Sequence, residues 1–174
     1  MKTKPLLERD RHRIVASLLG IPEPFVRQVA TNLKTNDRIA GTRPVASPVT
    51  PQSLARLILA LCTILPSRAA DLERRLGALR RVSGNGASLA EQELENLIAE
   101  AAGVAATTVD WWESGDMLVG VDVPSMLVML KTTDGKSMMR AYHDGKTLPD
   151  SMTRFVRLPL TTLRMVALEL LETK

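Results

Sequence analysis

Between Glu23 and Lys34, the polar residues Glu23, Arg27, Gln28, Thr31, Asn32 and Lys34 are interleaved with the apolar Val26, Val29, Ala30 and Leu33. At helical pitch this pattern puts the polar set on one side and the apolar set on the other. The polar side has the chemistry of base-edge recognition. A guanidinium such as Arg27 matches the O6 and N7 acceptors of guanine, and a carboxamide such as Gln28 or Asn32 matches the N6 and N7 edge of adenine. Thr31 suits a phosphate or a thymine methyl. Each good base contact discriminates by about 1–3 kcal/mol. Glu23, Arg27, Gln28, Thr31 and Asn32 are therefore the expected base contacts, with Lys34 on a phosphate.

Such a helix reads a duplex only if something presents it, and the residues on its N-terminal side are suited to that. In the segment His12–Thr31, the small Ala16 falls fifth, where two helices must cross, and Gly20 falls ninth, where the turn needs left-handed backbone. Val15, Leu19, Ile21, Val26 and Val29 occupy the fourth, eighth, tenth, fifteenth and eighteenth places, all apolar. At every one of those positions the segment resembles the helix-turn-helix of bacterial and phage DNA-binding proteins. That resemblance implies a second helix lying in the major groove. Lys2, Lys4, Arg9, Arg11, Arg13, Arg38 and Arg43 are then the further expected phosphate contacts.

The charge distribution agrees. Residues 1–84 hold 15 Lys and Arg against 6 Asp and Glu, a net +9, whereas residues 85–174 hold 8 against 13, a net −5. A basic half of this kind points to nucleic acid or another acidic surface. The acidic half is expected to meet a partner protein, such as RNA polymerase or a co-regulator, or to assemble copies of the chain.

Other chemistries lack their residues. Two histidines, His12 and His143, and one cysteine, Cys62, are too few for an ordinary zinc set or a disulfide. No phosphate-binding glycine loop and no GxSxG elbow occurs. Glu91, Glu93 and Glu95 alternate along a helix and read as a solvated face. Neither enzymatic activity nor a cofactor is expected. The longest apolar run, Leu57–Leu65, is interrupted by Thr63 and falls short of the roughly 20 residues that span a bilayer. A soluble cytoplasmic protein is the expectation.

The pattern predicts helices over 5–19 and 23–34, then an irregular loop or a small two-stranded wing over 35–48. Thr50-Pro51 opens a third helix that ends before Pro66. A fourth follows Ser67 on the seam Leu72, Leu76 and Leu79, with Arg74, Arg75, Arg80 and Arg81 on its exposed side as a solvated face or as extra DNA or partner contacts. Ser88 with Glu91 forms a capping-box pattern before a fifth helix. Short strands are expected over 117–123, 126–131 and 136–142, and a last helix over 160–171. Trp111 and Trp112 offer either core or stacking surfaces for single-stranded bases. The fold class is thus mainly α with a small antiparallel sheet, α+β. Three segments are expected: 1–66 for DNA, 67–103 as a helical hairpin, and 104–174 as a small α+β partner or oligomerisation unit.

The layout of about the first 65 residues is similar to small regulators of prophages or gene transfer agents, although no long helix precedes the motif. The order helix-turn-helix, helical hairpin, short β segment is similar to the small terminase subunits of tailed phages, which form rings and deliver DNA to a motor. A protein-interaction adaptor whose basic half meets an acidic protein is the third reading.

Overall fold

The computed structural model describes residues 8–41, 48–82, 88–145 and 154–171. Three helices come first: α1 (Glu8–Leu19), α2 (Glu23–Thr35) and α3 (Pro51–Leu61). Thr50 starts α3 as a capping box, its hydroxyl accepting from the Ser53 amide at 3.1 Å while Ser53 Oγ accepts from the Thr50 amide at 2.9 Å. A 3₁₀ turn, Pro66–Arg68, leads into α4 (Ala69–Gly77), followed by the two-residue strand β1 (Arg80–Arg81) and by α5 (Ala90–Ala101). Strands β2 (Asp116–Gly120), β3 (Ser125–Lys131), β4 (Ser137–His143) and β5 (Phe155–Pro159) then precede α6 (Leu160–Leu170).

All strand pairs are antiparallel, in the order β1-β4-β3-β2-β5. Alternation selects the faces: Met117, Val119, Met126, Val128, Leu130, Tyr142 and Leu158 are buried under the helices. Leu118, Leu127, Met129 and Ala141 lie on the other face, only partly covered, beside an exposed Met139. At Gly120 an added Cβ would lie 2.3 Å from Ser125 Oγ and 2.6 Å from the Val123 carbonyl oxygen, so the tight β2–β3 turn requires glycine. One continuous apolar core runs from Val15 of α1 through α3, α4 and α5 to Val166 of α6. A smaller one joins Val29 and Leu33 to Ala60, Ala69 and Ala70.

The α+β class holds, and the strands expected over 117–142 are present within a few residues. Of the irregular loop or wing expected over 35–48, residues 36–41 and 48–50 are irregular and contain no strand, and 42–47 lie outside the described residues. Three local expectations are corrected. Arg80 and Arg81 belong to a strand that pairs with Tyr142 and His143, not to a helix. Ser88 does not cap α5: Leu89 holds that position without a side-chain bond, and Glu91 turns to Arg56 instead. Glu91 and Glu93 are consequently no solvated face, since both are spent on arginines.

Candidate nucleic-acid interface

The turn between α1 and α2 is closed by backbone chemistry. Gly20 sits at φ +66° and the Ile21 amide donates to the Ala16 carbonyl at 3.0 Å, the long bond of a Schellman motif. Ala16 is buried at the crossing with Val15, while Leu19 and Ile21 pack on the same core from its edge. Helix α2 then seals Val26, Val29, Ala30 and Leu33 completely. Its opposite side, with Arg27, Gln28, Thr31 and Thr35, is exposed.

The predicted base contacts divide. Arg27 and Gln28 are exposed, Arg27 lying 2.9 Å from Glu23 one turn back, and Thr31 donates its hydroxyl proton to the Arg27 carbonyl at 2.9 Å. Its oxygen keeps the capacity to accept. Asn32 is engaged within the fold, where Nδ2 donates to the Ser67 carbonyl at 3.1 Å and Oδ1 accepts from the Ala70 amide at 2.9 Å. That carboxamide fastens α2 to the start of α4 and is withdrawn from any base edge.

Among the predicted phosphate contacts, Arg13 is exposed, 3.6 Å from Asp10. Arg11 and Lys34 are half-buried and line a cavity with His12, and burial pushes both cations below their ordinary values. Arg38 is taken out of the set. Its fork donates to the fully buried Glu73 at 2.6 and 3.0 Å, and Glu91 lies 3.7 Å away. The bond to Glu73 holds this guanidinium above its usual value. Arg9 lies on α1 with its side chain outside the described residues, and Lys2, Lys4 and Arg43 lie outside them altogether.

Arg27, Gln28, Thr31, Thr35 and Ser67 border an open groove of about 440 Å³ between α2 and the 3₁₀ turn. Sequence reasoning missed Thr35 and Ser67, because only the Asn32 clasp brings residue 67 beside α2. The two tryptophans separate: Trp111 is core, whereas Trp112 is 80% exposed with Arg164 stacked 5.2 Å above its ring. Among the described residues, no group of acidic, histidine and cysteine side chains could hold a metal, and no helix is long and apolar enough to cross a membrane. Comparison with protein-family models, curated proteins and solved structures finds no match to this chain.

Proposed function

We propose that the chain is a sequence-specific binder of double-stranded DNA, a transcriptional regulator of phage or gene-transfer-agent type that reads the major groove with α2. One observation carries the reading: α2 is sealed along its apolar side while Arg27, Gln28 and Thr31 face solvent, directly after a crossing built on Ala16 and Gly20. A purely structural helical hairpin has no need of an open side made of base-pairing side-chain types. The net charge of the first 84 residues supports the same reading, since it raises local duplex concentration before any base is read.

The test is selection of duplexes from a random pool at low salt, repeated with Arg27→Ala and Gln28→Ala. Enrichment of a defined site is expected, with relaxed preference at one or two base pairs in each variant, worth about 1–3 kcal/mol per contact. If no duplex is retained at low salt, the proposal fails. Retention with preferences unchanged in both variants would remove α2 from the groove.

A further inference from the structure

We infer that the cleft between the start of α4 and the β2–β3 turn is a docking site for an acidic amphipathic segment of a partner protein. It has a volume of about 640 Å³, its walls carrying Ile64, Leu65 and Leu72 together with Arg68, Arg75 and Arg154. Ile64 and Leu65 are 58% and 53% exposed, two consecutive large apolar side chains left in water. They are held in place rather than loose. The buried Thr63 hydroxyl accepts from the Leu65 amide at 3.2 Å and donates to the Leu65 carbonyl at 3.0 Å, and the Arg68 amide donates to that carbonyl at 2.9 Å. A ligand therefore loses little to ordering this rim.

Charge selects the occupant. Arg68 and Arg75 are exposed and form no ion pair with a described residue, while Arg154 at the far rim is oriented by Asp122, its Nε 2.9 Å from the carboxylate. One acid, Asp71 of α4, also lines the cleft, and it lies 3.3 Å from Arg74. Carboxylates on a partner match the two free guanidinium forks, and its apolar side chains cover Ile64 and Leu65. A DNA backbone would meet the arginines and leave those apolar side chains without a partner. Helical pitch also turns Leu72 and Arg75, in line with Arg68 just before the helix, to the flank of α4 opposite Ala70, which bonds to Asn32 of α2, and Arg74, 3.4 Å from the Asn36 carbonyl at the C-cap of α2. The cleft and the groove beside α2 adjoin across the 3₁₀ turn, Arg68 walling one and Ser67 bordering the other, and docking in the cleft does not require α2 to read DNA.

The experiment is selection from a random-peptide display library on the immobilised full chain, followed by fluorescence anisotropy of the enriched peptide. We expect peptides that combine Asp or Glu with Leu, Ile or Phe. Binding should weaken as salt rises, fall at least about tenfold with Arg68→Glu/Arg75→Glu or with Leu65→Asp, and stay unchanged with Arg80→Glu at the opposite edge of the sheet. Circular dichroism checks that each variant is folded. Peptides without that acidic and apolar composition, or equal binding to the double-arginine variant, would overturn the inference. So would a double-arginine variant that keeps the peptide but loses duplex DNA, which makes the cleft a backbone track, or one whose main change is in self-association.

Discussion

His12 illustrates how much a single side chain reports on its surroundings. It is nearly covered in α1, and burial, then the nearby charge of Arg27 and, less, that of Arg11, lower its affinity for a proton below the ordinary value of 6.5 against an opposite pull from Glu23 that ranks between the two arginines. The unfolded chain therefore takes up this proton first as pH falls. Between the folded value and 6.5 the unfolded state holds more protons, so the stability His12 contributes is complete above 6.5 and drains away as pH drops through that window. Melting temperatures between about pH 7 and 5 should fall more steeply for the native chain than for His12→Gln; parallel curves would contradict this. Cys62 makes a second residue-scale case, because burial pushes its thiol up to about 12 and its Sγ contacts the Ile58 carbonyl at 3.5 Å. A thiol reagent should leave the folded protein unlabelled and react only as the chain unfolds, at a rate that tracks opening of the α3 core; rapid labelling in native buffer would show that α3 opens locally.

At the scale of elements, the α1–α2 corner depends on two small residues for different reasons. Ala16→Leu forces extra methylenes into a filled crossing and should cost about 1–3 kcal/mol in urea denaturation. An added Cβ at Gly20 meets nothing within 4 Å, so the penalty of Gly20→Ala is confined to backbone at φ +66°, about 1–2 kcal/mol in the same assay. These helices were legible because both the 3.6 period and the turn residue lie within one short stretch. The clasp of α2 on α4 was not, since the residues joined by Asn32 are distant in sequence and an exposed-type carboxamide looks the same whether it meets a base or a backbone. Strands β1 and β5 were missed for a related reason: two arginines, or Phe155–Pro159 with a charge at its centre, carry little strand signal and exist as strands because β4 and β2 offer edges to pair with. Arg38 was misassigned because net charge counts cations without revealing which carboxylate lies beneath. With Arg38→Ala, Glu73 keeps, among the described residues, only Arg56 at 3.9 Å as a cationic partner, and a loss of about 3–5 kcal/mol is expected from stranding a buried charge. Combining Arg38→Met with Glu73→Leu should recover most of that loss, which separates the bare charge from lost packing.

For the whole molecule, the helices occupy one side of the sheet, and the two layers are joined by a polar contact as well as by apolar packing. Glu93 of α5, 5% exposed, accepts from the Tyr142 hydroxyl at 2.8 Å and pairs with Arg140, so both partners project from β4 toward the helices. Burial and that carboxylate together raise the Tyr142 phenol well above its usual range. Because side chains on a strand alternate, sliding β4 by a single position along β3 would swing both groups to the far side and abandon an acid sealed beneath α5. Glu93 thereby penalises every odd-numbered slip of this hairpin, a check on register that apolar side chains alone would exert less sharply.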